Sequence, residues 1–267
     1  MRAFVLPVSL GLCLACGQKL DHPELAPGCD PAVMRCTVSM MPATGSPGGN
    51  GEGGAGSGDE VAAFTGDILA FNDDYFDRGS TFTGMAQVSA TGQSGARVSA
   101  SYDGKSFQLD SVLKDAANWF FTVPDGGSGM IPTLMPLDTR ATTAAMLSVG
   151  VANGSVVDGI FLASSGTERA LDRAQIVLRV VDEKRRSVTG VTGKLTAEVT
   201  SYRAAGSWVG VSNQNATDDS GMLFFGNVPA GTALSPVTVN LTGAVTASVE
   251  VTIVAGAISV VTAVVSP

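Results

Sequence analysis

The stretch ASVEVTIVAGAISVVTAVVS, Ala247–Ser266, limits the fold of this chain more than any other feature. In its first half Val249, Val251 and Ile253 alternate with Ser248, Glu250 and Thr252. That two-residue period suits a strand with one buried face and does not suit a helix. After Gly256 the second half is apolar on both faces, as a central strand would be. The same signals recur in AQVSATG, NWFFTVP and QIVLRVV, each bounded by Gly, Pro or Asp. With 33 Gly and 45% hydrophobic residues, the chain is expected to be all-β. Short strands at this spacing, broken by Gly turns, indicate antiparallel β-sandwiches.

Five segments follow. Residues 1–15 read as a leader and 16–60 as a disordered tail. Residues 61–137 read as one sandwich module, 138–173 as a partly helical connector, and 174–267 as a second module. The tail includes ATGSPGGNGEGGAGSGDE, Ala43–Glu60, too polar and Gly-rich to bury a core. As a flexible coil its 18 residues would span roughly 23 Å r.m.s.. In the first module RVSASYDGKSFQLD predicts a hairpin turning at Asp103-Gly104. That register would set Tyr102 against Lys105, Ala100 against Phe107 and Val98 against Leu109, all on one face. In the connector DTRATTAAMLSVG predicts a short helix capped by Asp138 and ending near Gly150.

The N-terminus supplies an address. Arg2 precedes an apolar run, Ala3–Ala15, too short to remain as a membrane span. It ends Leu12-Cys13-Leu14-Ala15-Cys16-Gly17, which resembles the bacterial lipobox, with Cys16 at the modified position and Cys13 where Leu is usual. A plain secretory signal is the alternative. The resemblance implies cleavage before Cys16, acyl chains such as palmitate on that residue, and a bacterial envelope location. Gly17 after the cysteine favours the outer membrane over the inner. Several acyl chains on one residue would anchor firmly where one would not. Cys29 and Cys36, seven residues apart in GCDPAVMRC, then remain as an even pair in an oxidising compartment. A disulfide between them is expected, since two sulfurs make only half a tetrahedral metal site.

A second resemblance covers residues 174–267. RSVTGVT (Arg186–Thr192), TDDSGMLFFGNVPAG (Thr217–Gly231) and VTVNLTG look like the carboxypeptidase regulatory-like, transthyretin-like sandwich, a relative of Ig-like domains. Ser187 stands where that family has Pro, and one extra residue lies around Asp218-Asp219. Residues 61–137 are similar only loosely. The resemblance implies a seven-stranded antiparallel sandwich without a catalytic centre, serving as a surface or accessory module.

Most catalytic kits are missing. The one histidine, His22, lies in the tail, so no His-dependent triad or HExxH site falls within a module. Ser111-Val-Leu-Lys114 spells S-x-x-K, but penicillin-binding enzymes place those residues on a helix, and this segment reads as strand. Without residues 1–15 the chain has 15 Lys and Arg against 24 Asp and Glu, net −9, which disfavours nucleic acid. Lys184-Arg185-Arg186 beside Asp182 and Glu183 reads as a solvated turn. Asp73, Asp74 and Asp77, and separately Asp218 and Asp219, gather carboxylates in loops that could take Ca²⁺. Tyr75, Phe76, Trp119 and Trp208 could offer a sugar platform. Solvated acids and packed aromatics are the plainer readings, so no metal or cofactor is assigned. Asn153-Gly-Ser155, Asn215-Ala-Thr217 and Asn240-Leu-Thr242 spell glycosylation sequons, coincidental in a bacterial lipoprotein. The expectation is a non-enzymatic envelope protein held in membrane lipid by Cys16, presenting its modules to an envelope protein or glycan. A carbohydrate- or Ca²⁺-binding surface module is the alternative.

Overall fold

The computed structural model describes residues 41–42, 60–77, 79–91, 97–114, 118–140 and 146–266. Cys16, Cys29, Cys36, His22 and the Gly-rich run 43–59 lie outside the described residues, and so do the expectations placed on them. In chain order the first strands are β1 (Met41–Pro42), β2 (Val61–Phe71), β3 (Gly79–Thr81), β4 (Ala86–Thr91) and β5 (Arg97–Tyr102). Then come β6 (Phe107–Leu113), β7 (Asn118–Pro124), β8 (Met130–Ile131), β9 (Thr133–Leu137) and β10 (Met146–Asn153). A helix, α1 (Gly154–Ser164), separates these from β11 (Ala174–Val181), β12 (Val191–Lys194), β13 (Val199–Ala204) and β14 (Ser207–Gly210). The chain closes with β15 (Met222–Val228), β16 (Ser235–Gly243), β17 (Ala247–Ile253) and β18 (Ile258–Val264). The protein is therefore mostly β.

The strands form three sheets. The largest has ten strands, in the order β14-β13-β15-β11-β18-β9-β7-β4-β5, with β1 joined to β18. It runs through both halves of the sequence, and β18 makes the junction. On one edge β18 pairs in parallel with β11 from Gln175↔Ile258 to Val181↔Val264. On the other it pairs in parallel with β9 at Ile258↔Thr133 and Ser259↔Leu134. A five-stranded sheet combines β3-β2-β10-β8 with β6, and a three-stranded sheet is β12-β16-β17.

Side-chain parity places these smaller sheets on opposite faces of the large one. Along β18, Val261 and Ala263 enter a core with Val239, Leu241, Val249 and Val251 of the three-stranded sheet. Ile258 and Val260 point the other way, into a core with Val157, Ile160 and Phe161 of α1. In β7, Trp119 belongs to the first of these cores, whereas its neighbour Phe120 packs with Phe64, Ile68 and Val149 under the five-stranded sheet. The three-stranded sheet thus packs on one face of the large sheet, and the five-stranded sheet and α1 on the other. The alternation read in AQVSATG and ASVEVTIVAG, and the two apolar faces read in AISVVTAVVS, supply those inward residues.

Two expectations are corrected. The Asp103-Gly104 segment is not a hairpin: β5 pairs with β4, setting Ala100 opposite Val88 and Tyr102 opposite Ala86. β6 pairs instead with β2 in the facing sheet. The Asp103 carboxylate accepts from the N–H groups of Lys105 (2.9 Å) and Ser106 (3.1 Å), an Asx turn that carries the chain between sheets. Tyr102, Phe107 and Leu109 still share one core, because an arch and a hairpin need the same inward alternation.

The helix is also displaced. Residues 146–153 form β10, parallel to β2 over Met146↔Thr65 to Ala152↔Phe71. Leu147, Val149 and Val151 have strand parity and fill the core under the five-stranded sheet. Helix α1 starts one residue beyond β10, where the Asn153 carboxamide oxygen accepts from Ser155 N–H as N-cap. Gly150 does not stop a helix; it makes room for Phe71, whose Cε2 would lie 2.0 Å from an added Cβ.

Candidate functional site

The loop after β2 carries the first acidic cluster, and the fold turns it inward. Asp73 accepts from the N–H groups of Tyr75 (3.2 Å) and Phe76 (3.1 Å). This turn holds Phe76 at φ 53° and buries its ring edge-on to Phe71, with centroids 6.3 Å apart. The loop lies against the large sheet where β11, β13 and β15 run side by side. There Asp77 pairs with Arg179 at 3.0 Å, and Arg179 also donates to the Tyr75 carbonyl at 3.3 Å. Asp74 pairs with Arg203, whose guanidinium lies 3.7 Å from the centroid of the Tyr75 ring. Arg203 also donates to the Gly206 carbonyl at 3.2 Å.

Charges follow from this packing. Burial raises the Asp73 carboxyl above its ordinary range, helped by the nearby carboxylates of Asp77 and Asp74, against the two N–H bonds that favour its ionised form. Burial works against the Arg203 cation, but the Asp74 hydrogen bond and charge more than compensate, and it stays fully protonated. Two of the three acids therefore neutralise arginines from β11 and β13, and the third makes a turn. The cluster is a clasp between the halves of the fold.

The other expected residues fall in several places. Asp218 accepts from Ser220 N–H (2.9 Å) and hydroxyl (2.6 Å), while its second oxygen accepts from Ala205 N–H at 3.1 Å. It joins two turns, while Asp219 is exposed. Among the described residues no three His, Cys, Asp or Glu side chains are grouped to hold a metal ion. The tryptophans are packed aromatics, the plainer of the two readings, and form no platform. Trp208 is 3% exposed and Trp119 8%, and Trp208 packs edge-on against Phe224. Ser111 lies in β6 with φ 61°, beside the register shift in its pairing with β2. Lys114, beyond the strand end, pairs with Glu60 at 2.5 Å.

Sequence reasoning missed both arginines of the clasp. The signal was available: Arg179 interrupts the apolar run QIVLRVV, and Arg203 sits inside VTSYRA. A cation on a buried strand calls for an anion from elsewhere. Also missed was the buried Asn227, at φ 53°. Its backbone N–H donates to the Gln175 side chain (2.8 Å), its side-chain Nδ2 to Glu198 (2.9 Å), and its side-chain Oδ1 accepts from Ala170 N–H (2.8 Å). That network fixes the loop between α1 and β11.

With a shared central sheet flanked by two smaller ones, the fold is of β-sandwich type. No family model matches the chain, and the comparison with curated proteins found no match. Solved structures offer distant likenesses. A streptococcal ancillary pilin shares 12% identity at a TM-score of 0.24, over 76% of this chain and 68% of that one. The Bacillus anthracis TIE protein shares 11% at 0.23, over 76% of this chain and 34% of its own. The RrgB pilus protein of Streptococcus pneumoniae shares 11% at 0.21, over 73% and 42%. The chain thus spans less than half of the latter two. At these TM-scores the likenesses carry no argument about activity.

Proposed function

We propose that this chain is a non-enzymatic, lipid-anchored protein of the bacterial envelope, whose β-sandwiches form a rigid body for binding or scaffolding another envelope component. The clasp is the observation that carries the reading. Asp74, Asp77, Arg179 and Arg203 spend their charges on one another, joining the halves, and Trp208 is buried behind them. The same observation weighs against the carbohydrate or Ca²⁺ alternative. Anchoring at Cys16 confines such a body near the membrane and raises its effective concentration for neighbours there. Gly17 after the cysteine favours the outer membrane, Cys29 and Cys36 close a small disulfide loop, and residues 174–267 supply the carboxypeptidase regulatory-like part.

Growth of the source bacterium with a clickable fatty acid tests the anchor. The chain should take up label and sediment with membranes, and Cys16→Ser should abolish both. Cross-linking in the same cells should join residues 61–267 to a dominant envelope partner, lost with Cys16→Ser. A chain that stays unlabelled and soluble overturns the anchored reading. A labelled chain without a reproducible partner overturns the scaffold reading and leaves the anchor standing.

A further inference from the structure

Strand β5 ends the large sheet: β4 pairs with it on one edge, and among the described residues no strand takes the other. Open edges expose unpaired N–H and C=O groups, so sheets protect them with short strands, charges, prolines or bulges. The other terminal strands here do so. β3, β8, β12 and β14 have four residues or fewer. β17 carries exposed Glu250 at its centre. β6 carries exposed Asp110, next to Ser111 at φ 61° and a register shift against β2. β5, RVSASY, runs for six residues in unbroken register with β4, without charge, proline or bulge between Val98 and Tyr102.

The charges lie at its two ends, with opposite sign. Arg97 opens the strand, Asp103 follows its last residue, and both are exposed. Arg97 donates through one nitrogen to Ser89 Oγ at 2.9 Å, and Asp103 makes its turn through Oδ1, so both ends keep bonding capacity. They are equidistant in sequence from Ala100. An antiparallel two-fold through Ala100 therefore sets Arg97 opposite Asp103 of the partner subunit, Val98 opposite Tyr102 of the partner subunit, and Ser99 opposite Ser101 of the partner subunit. Faces match as well: Ser99 and Ser101 are exposed, while Val98 and Ala100 are half-buried against the core that holds Tyr102. A slip of one residue would set exposed positions against core positions. A slip of two would set Arg97 against Ser101 or against Lys105, and no ion pair would form.

We infer that β5 is the contact strand of a two-fold dimer, in which two copies of this chain join their large sheets edge to edge through antiparallel Arg97–Asp103 segments. A six-residue edge makes a small interface, so the dimer is reversible. It requires neither lipidation of Cys16 nor an envelope location.

Analytical ultracentrifugation of the full chain carrying Cys16→Ser, in reductant and from about 1 µM to about 1 mM, tests it. The mass should rise reversibly to twice that of the monomer. Ser99→Lys/Ser101→Lys sets like charges opposite one another on the exposed face, and should weaken the dimer at least tenfold with near-UV circular dichroism unchanged. Register is read separately by disulfides, because directly opposed residues of an antiparallel pair have Cα atoms about 4.5–5.5 Å apart, within disulfide reach. Mixing Ser99→Cys chains with Ser101→Cys chains under mild oxidation should give a 99–101 cross-link, identified by peptide mass spectrometry. Either variant alone should join its copies through that position at least tenfold less. A chain that stays monomeric at the highest concentration overturns the inference, whether hydrogen exchange finds β5 bare or covered by another segment of the chain. So does a dimer that the lysines leave unchanged, or a cross-link without preference for the mixed pair.

Discussion

Arg203 is 3% exposed and combines an ion pair with Asp74, a face-on contact with Tyr75 and a bond to the Gly206 carbonyl. A lysine carries the charge but not the planar fork that stacks and donates together. Arg203→Lys should therefore lower stability by roughly 1–3 kcal/mol, read as a lower urea midpoint at unchanged slope. Asp74→Asn should cost less, about 1 kcal/mol, because that carboxylate is 34% exposed. Neither loss should be restored by calcium; a calcium-dependent rise in the wild-type melting temperature would mean that the acids serve an ion after all. Asp73 behaves differently. Its folded-state pKa is raised, chiefly by burial, so the fold binds its proton more tightly than the unfolded chain does. Its contribution is fully present below the unfolded value near 3.8 and is lost as pH rises through the folded value. Asp138 and Asp182 have the opposite sign, held down by hydrogen bonds from Arg140 and from Arg186 respectively. Their contributions vanish as pH falls through their lowered values. Asp73→Asn keeps the turn acceptor but removes the titration. Equilibrium unfolding at pH 7 and just above pH 4 should show the wild type gaining on the variant at the lower pH; equal slopes would refute the assignment.

At the scale of elements, the hairpin β13–β14 closes through Ala205 at φ 48° and Gly206 at φ 84°, between the paired residues Ala204 and Ser207. Both turn residues are left-handed, a conformation that Asn accepts more readily than Ala. Ala205 is exposed, so Ala205→Asn should stabilise by about 0.5–1 kcal/mol; thermal unfolding that shifts downward would show that the Asp218 contact at Ala205 N–H dominates instead. The arch at Asp103-Gly104 shows why such turns are hard to read. Alternation reports which side chains face inward, and Tyr102 and Phe107 do. It is silent on whether the inward partner lies beside the strand or across the core. The β-character of β4, β7, β11, β17 and β18 was legible for the same reason, since burial on one or both faces leaves its mark in the sequence itself. Helix α1 was not legible, because only four of its residues are buried and its cap, Asn153, sits at the end of a strand. The clasp was half legible: its acids cluster in sequence, whereas its arginines come from strands more than a hundred residues away.

At the scale of the molecule, the shared sheet makes stability a common property. Strand β18, last in sequence, is flanked by β11 and β9 from different halves, while Trp119 and Leu134 from the first half enter the core of the second. The first half in turn borrows β10, whose pairing with β2 supplies Leu147, Val149 and Val151 to its core. A segment cut at residue 137 would lose that strand and expose the edge of β2, an invitation to aggregation. Residues 61–137 alone should therefore lack near-UV circular dichroism, whereas the full chain should melt in one transition with matching calorimetric and van't Hoff enthalpies. Two resolved transitions, or a folded 61–137, would mean that the sandwiches hold themselves together and the sheet only joins them. In the one-transition case, Arg203→Lys should lower that single midpoint, because the clasp and the sheet fail together.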